Sequence, residues 1–240
     1  MPRLTAVTLD LWDTLITEVP RKNPGLRKYR IELIQRELEM LGFKYDSGRI
    51  ERAYAQSEEF CDEVWKRRRD MPLDDHFLFM LSCIDSRLPW KLKREDLGRL
   101  RKYYAEAIMQ MPPVLLPHAR EALEYLADRG YRIGLISNTG RTPGEVLRRL
   151  LDQLGIARYF DVMTFSNEVL VRKPEKQIFL HTVKGLNTLP RLTLHIGDDP
   201  EADLAGALNA GMNALLVDAH RDSRSDDGII RSLAELQEIL

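Results

Sequence analysis

Four short stretches of this 240-residue chain place carboxylates, hydroxyls and a lysine where chemistry could use them. The first is Thr-Ala-Val-Thr-Leu-Asp-Leu-Trp-Asp-Thr-Leu at residues 5–15. Its apolar and β-branched opening suits a short buried strand that stops at Asp10, with Asp13 and Thr14 just beyond. A carboxylate at the carboxyl end of a buried parallel strand stands where open α/β sheets place their ligands. Burying it uncompensated is costly, so a cation or several N–H donors should accompany it, unless Asp10 merely opens a turn. The second stretch, Ser137-Asn138-Thr139-Gly140, offers a hydroxyl and amides to phosphate oxygens, or is an ordinary turn. The third is Lys173, which precedes Pro174 and so lies just outside a helix, a place where lysines are usually solvated. The fourth is Gly197-Asp198-Asp199-Pro200-Glu201-Ala202-Asp203. It opens a helix, where capping competes with a functional role for Asp199, Glu201 and Asp203.

The elements that must position these residues fall into two kinds. After Leu15 the apolar spacing is helical for almost a hundred residues. Pro24 and Gly25 open a helix closed by Gly42, and Ser47 caps a second one. Lys66-Arg67-Arg68-Arg69, just before Pro72, suits the last turn of that second helix better than a nucleic-acid patch. Asp74 or Asp75 caps a third, and Leu97 to Met109 form a fourth. Met111-Pro112-Pro113 is a linker, since neither proline continues a helix. Beyond it helices are expected at 117–129, 143–154, 175–184, 200–210 and 232–240, and strands at 131–136, 161–165, 192–196 and 213–217. Strands alternating with helices of this length imply a parallel, doubly wound α/β sheet. Residues 1–15 with 111–240 would form that core, and 16–110 an inserted all-helical unit.

Composition excludes several classes of function. With 36 basic and 37 acidic side chains there is no bulk charge to draw a nucleic acid or a membrane surface. No apolar run approaches the roughly 20 residues of a spanning helix. The N-terminus reads straight into the first strand, so no signal peptide is expected. Cys61 and Cys83 lack metal-ligand spacing and read as free thiols of a cytoplasmic protein.

Taken together, Asp10, Ser137, Lys173 and Gly197-Asp198 to Asp203, each at a strand end or in the loop after it, resemble the four motifs of the haloacid dehalogenase superfamily. Leu-Asp-x-x-x-Thr-Leu at 9–15 and Gly-Asp-x-x-x-x-Asp at 197–203 carry most of the likeness. It implies a Rossmann-like core with a helical cap inserted between the first two motifs, matching residues 16–110. It also implies a phosphatase acting on small phosphorylated molecules, with Asp10 as the nucleophile that forms an aspartyl-phosphate. Mg²⁺ would be held by Asp10, the main-chain carbonyl of Trp12 and Asp198, hard oxygen ligands of the kind that ion prefers. Ser137 and Lys173 would hold the phosphoryl oxygens, and Asn138, Trp12 and Thr14 would line the substrate position. Asp203 and Asp199 would support this shell from behind. Residues 21–110 hold 20 basic and 16 acidic side chains, so a mildly basic lid would cover an acidic core and favour an anionic substrate.

One residue departs from the family's phosphatases, which carry a second aspartate two places after the nucleophile as general acid and base. Here Trp12 stands in that place, and indole donates a hydrogen bond without carrying a proton across. Dehalogenases of the superfamily also lack that aspartate, so a 2-haloacid dehalogenase is the alternative, together with a catalytically weak phosphate-binding protein on the same scaffold. The acidic fourth motif favours phosphoryl transfer, because halide displacement by a carboxylate needs no magnesium. Asp13, one residue further along a tight turn, is expected to point elsewhere.

Overall fold

The computed structural model describes residues 4–18, 24–220 and 228–240. Its strands are β1 (Ala6–Leu9), β2 (Ile16–Thr17), β3 (Val114–Leu115), β4 (Arg132–Ser137), β5 (Val162–Phe165), β6 (Thr193–Gly197), β7 (Asn213–Val217) and β8 (Ile229–Ile230). Six of them form one parallel sheet in the order β5-β4-β1-β6-β7-β8. β1 lies in the middle and is buried throughout, as its apolar run requires. The remaining pair, β2 and β3, is antiparallel, with Ile16 opposite Leu115 and Thr17 opposite Val114.

The helices are α1 (Pro24–Met40), α2 (Ser47–Lys66), α3 (Leu73–Ile84), α4 (Leu88–Lys91), α5 (Arg94–Glu106), α6 (Ala119–Asp128), α7 (Gly144–Gln153), α8 (Ser166–Val169), α9 (Lys176–Gly185), α10 (Gly206–Asn209) and α11 (Leu236–Ile239). Side chains alternate across a strand, so β4 sends Ile133 and Leu135 into the cluster that holds Leu123 and Leu126 of α6 and Leu147 and Leu150 of α7. Ile136 goes into the other cluster, with Ile178 and Phe179 of α9. Each such fully buried aliphatic side chain contributes about 1.5–3 kcal/mol. The sheet is therefore flanked by helices, an α/β fold. Among the described residues no helix is long and apolar enough to cross a membrane.

Helices α1 to α5 all lie between β2 and β3, so the chain leaves the sheet and returns to it through adjacent paired strands. Their shared core is aromatic: Tyr104 packs against Tyr54, Phe77 and His76. His76 is 4% exposed, and burial first, then the charges of Arg141 and Arg30, hold its pKa down to about 3. It stays neutral in the fold but protonates near pH 6.5 once unfolded, so its contribution to stability is complete above pH 6.5 and shrinks as pH falls toward 3. The loss reaches about 1.4 kcal/mol per pH unit in that window, and His76→Leu should flatten it in denaturant titrations between pH 4 and 7.

Several boundaries differ from the sequence reading. The basic run 66–69 does not complete a helical turn: α2 ends at Lys66, Arg68 takes a left-handed conformation (φ 58°), and Arg69 pairs with Val171 in an antiparallel bridge. Backbone bonds from Asp70 to Leu170 and from Arg172 to Arg68 fix this contact, and the Arg68 side chain reaches Glu175 and Glu201. Lys66 thus closes α2, as expected, while the Arg68 side chain and the Arg69 backbone attach the insert to the core. Asp74 and Asp75 sit inside the first turn of α3, which starts at Leu73, so they complement the helix dipole without capping it. The expected helix at 200–210 is a π-helical turn (Pro200–Ala205) followed by α10. The end of the chain splits into a 3₁₀ turn and α11, with Leu233 and Leu236 buried.

Candidate active site

Three neighbouring strand ends converge. Asp10 follows β1, with its backbone N–H donated to the Ile196 carbonyl at 2.9 Å. Ser137 ends β4, and Asp198 follows β6. Lys173 arrives from the loop between α8 and α9, and this crossing point of adjacent parallel strands is where α/β sheets place ligands. Its ammonium, 2% exposed, donates to Asp10 Oδ1 and, at 2.5 Å, to Asp203 Oδ1. The loop holding it is clamped by Asn138: the Asn138 amide donates to the Lys173 carbonyl at 3.1 Å, and Oδ1 accepts the Lys173 N–H at 2.8 Å. The amide thus holds the lysine's main chain. Ser137 is fully buried and its hydroxyl donates to the Asn138 carbonyl at 3.4 Å.

A chain of polar contacts supports Asp203 from below. His195 lies in β6 between apolar neighbours; Nε2 donates to Asp203 Oδ1 at 3.0 Å, and Nδ1 accepts from the Thr8 hydroxyl at 2.9 Å. That tautomer follows because a carboxylate can only accept. Burial, partly opposed by Asp203, lowers the His195 pKa, so the ring is neutral. Sequence reasoning missed His195, although a histidine inside the run Thr193-Leu194-His195-Ile196 was a visible signal. Gly197 belongs to the same arrangement: a Cβ there would lie 2.2 Å from Asp203 Cγ, so no larger residue lets Asp203 reach the lysine.

The charges are strongly perturbed. Burial, with repulsion from Asp203 and Asp198, raises Asp10 to about 7 although Lys173 pulls it down. Burial, then Asp203 and Asp13, raises Asp198 to about 6. Burial opposes the charge on Lys173, yet Asp10 and Asp203 outweigh it and push its pKa up to about 12. Asp203, despite burial, is held well below the usual carboxylate range by Lys173 and His195. Carboxylate oxygens of Asp10, Asp198 and Asp203 lie within 4.8 Å of one another. This is an oxygen-only donor set, buried at Asp10 and Asp203 and half-buried at Asp198, with more negative charge than one lysine neutralises, and it fits a hard divalent cation.

The other expected residues are arranged around this centre. The Thr14 hydroxyl, buried, donates to Asp198 Oδ1 at 3.4 Å. Asp199 caps the following turn, accepting the N–H groups of Glu201 and Ala202 at 2.8 Å each. Asp13 is left-handed (φ 54°) and accepts from the Thr17 hydroxyl at 2.7 Å, and it lines a cavity of about 480 Å³ that Trp12 does not. Trp12 instead lines a separate cavity against the insert, with Asn138 in the same wall. Asp70 of the insert also went unnoticed in the sequence. Its buried carboxylate accepts from Arg172 at 2.8 Å, from Thr139 at 3.3 Å and from Ser166, and it secures the insert beside the site.

Comparison with known proteins finds relatives in sequence and in fold. A glyceraldehyde 3-phosphate phosphatase of Methanothermobacter thermautotrophicus is 33% identical over 135 residues, which are 52% of this chain and 58% of that protein. The match to it therefore spans little more than half of that relative. A ribulose-1,5-bisphosphate 5-phosphatase of Halopiger xanaduensis is 25% identical over 97% of this chain and 92% of its own. Among solved structures, a HAD phosphatase of Thermococcus onnurineus aligns with 98% of this chain and 97% of its own at a TM-score of 0.61 and 28% identity. A 2-haloacid dehalogenase of Pseudomonas syringae, 19% identical, covers 98% of this chain and 97% of its own at 0.69, a likeness of fold alone. The sequence model of haloacid dehalogenase-like hydrolases matches residues 4–211, from before β1 to just past α10. That stretch takes in every strand end that carries a site residue, and the chain belongs to the haloacid dehalogenase-like hydrolase family.

Proposed function

We propose that this hydrolase is a magnesium-dependent phosphatase of small phosphorylated molecules that works through an aspartyl-phosphate on Asp10. The observation that carries the reading is the buried Asp10–Lys173–Asp203 chain with Asp198 beside it. Asp10 attacks phosphorus and the leaving group departs with the ester oxygen, which splits one displacement into two. Lys173 and the Ser137 hydroxyl hold phosphoryl oxygens as charge redistributes. Asp203 and His195 fix the lysine, and Asn138 fixes its main chain. Asp10, Asp198 and the Trp12 carbonyl would hold Mg²⁺, which when bound supplies charge neutralisation between carboxylate and phosphate. Residues 16–110 would act as the cap and 1–15 with 111–240 as the core. The unpaired cysteines Cys61 and Cys83 suit a cytoplasmic setting.

Trp12 sets the substrate range. A general acid contributes about 10²–10⁴-fold, most where the leaving group is basic. Without one, aryl or acyl phosphates should turn over far faster than alkyl phosphates. Trp12→Asp should then speed alkyl phosphate hydrolysis more than p-nitrophenyl phosphate hydrolysis. Equal losses on both would make Trp12 a packing residue and end the leaving-group argument. Trp12 also favours a second reading, carboxylate displacement of halide, which needs no acid. Phosphate released from p-nitrophenyl phosphate only with Mg²⁺ supports the first reading; chloride released from 2-chloropropionate without metal supports the second.

A further inference from the structure

Beside Trp12, a cavity of about 290 Å³ opens between the core and the helical insert, near the lower end of the volumes that small-molecule sites occupy. Three arginines, Arg30, Arg141 and Arg172, share its wall with Trp12, Asn138 and Glu18. Their hydrogen bonds differ. Arg172 is satisfied by Asp70 at 2.8 Å and by the Thr139 carbonyl. Arg30 is 6% exposed and donates to the Tyr104 carbonyl at 3.0 Å and the Thr142 hydroxyl at 2.8 Å, both neutral acceptors. Arg141 is 14% exposed, and its Nε and Nη2 are buried with no hydrogen-bond partner among the described residues. Glu58 lies 3.8 Å from Nη2, too far for a hydrogen bond. The guanidinium instead lies over the Tyr54 ring, 5.2 Å from its centroid.

Buried guanidinium N–H groups without an acceptor are costly, and planar, bidentate donors of this kind match carboxylate and phosphate. The positive field here is also felt by His76, whose proton Arg141 and Arg30 both repel. We propose that this cavity takes a second anionic group of the substrate, a carboxylate or another phosphate, on the free donors of Arg141 with Arg30 behind it. The inference rests on the phosphatase reading, since Trp12 and Asn138 connect the cavity to the nucleophile and the lysine. It narrows the substrate to phosphate esters carrying two anions separated by a short spacer. The competing role for Arg141 is purely structural, a core residue stacked on Tyr54 to hold the insert down.

The test uses p-nitrophenyl phosphate hydrolysis with Mg²⁺ as the readout and three compounds as competitors: propyl phosphate, 3-phosphopropionate and propane-1,3-diol bisphosphate. The two dianchored compounds should inhibit about 10- to 100-fold more tightly than propyl phosphate, the range expected of charge-assisted hydrogen bonds. Arg141→Gln should collapse that ratio toward one, and Arg141→Lys, which keeps the charge without the fork, should leave part of it. Which of the two anions binds more tightly identifies carboxylate or phosphate as the natural group. Equal inhibition by all three in the wild type overturns the inference, and needs no variant to fold. A ratio that survives Arg141→Gln overturns it too and leaves Arg141 as a stacking residue. Failure to hydrolyse p-nitrophenyl phosphate at all would instead remove the phosphatase reading beneath it.

Discussion

Asp10→Asn should abolish turnover and leave the fold intact. An amide nitrogen is not a nucleophile at neutral pH, so no covalent intermediate can form, and losses of this kind run to about 10⁴-fold or more. The structure predicts that stability does not fall with activity. Asp10 is 5% exposed, and burial together with Asp203 and Asp198 raises its pKa to about 7, so its charge is a liability in the metal-free protein. Removing that charge leaves Lys173 paired with Asp203 at 2.5 Å. The variant should therefore melt within a few degrees of wild type, with kcat for p-nitrophenyl phosphate reduced to background. Retention of a tenth of the activity would remove Asp10 from the nucleophile's role.

Lys173→Met and Asp198→Asn should both inactivate the enzyme, yet move its metal-free stability in opposite directions. Lys173 is the cation between Asp10 and Asp203, and its own pKa is pushed up to about 12 by those carboxylates against the opposing effect of burial. Without it two buried carboxylates face each other with no cation between them, and breaking a buried pair in this way costs about 3–5 kcal/mol. Asp198 has the reverse position: burial and its neighbours Asp203 and Asp13 raise it to about 6, so neutralising it relieves repulsion. In chelator, the denaturation midpoint of Lys173→Met should fall well below wild type, while that of Asp198→Asn should match or exceed it. Added Mg²⁺ should stabilise wild type and leave Asp198→Asn unmoved, because a ligand stabilises only the state that binds it. Midpoints that shift the same way in both variants would contradict the assigned charge pattern.

How far the sequence foretold this can be seen residue by residue. The central strands were legible because parallel strands buried on both faces are written as largely apolar runs, as Ala6–Leu9 and residues 133–136 of β4 are. Asp10 stood out because its charge falls at the end of such a run. Lys173 and Asp203, each with an ordinary surface or capping explanation, gained meaning only together with it, through the likeness to the family's motifs. The short pairings of β2 with β3 and of β8 with β7 were not legible, since two-residue strands exist only through partners distant in sequence. For the same reason the pairing of Arg69 with Val171 was not legible in the run 66–69, whose charge marks only the end of α2. Local charge suits a C-terminus, but the backbone of that segment is taken up by Val171 and its neighbours across the interface. Asp70 carries polar contacts to residues of other elements and nothing local announces it, whereas His195 showed only as a polar residue in an apolar run, its partners Asp203 and Thr8 being hidden.

In the proposed reaction phosphate passes through Asp10. With Trp12 in place of a base, hydrolysis of the aspartyl-phosphate should be slow, so the intermediate should accumulate in a burst. Mixing enzyme with p-nitrophenyl phosphate and Mg²⁺, quenching in acid within the first turnover and mapping the peptides by mass should show one phosphate on the peptide containing Asp10. Near-stoichiometric labelling is expected there, absent in Asp10→Asn and absent without metal. Burst release of p-nitrophenol with no label on that peptide, or with the label on another residue, would contradict it.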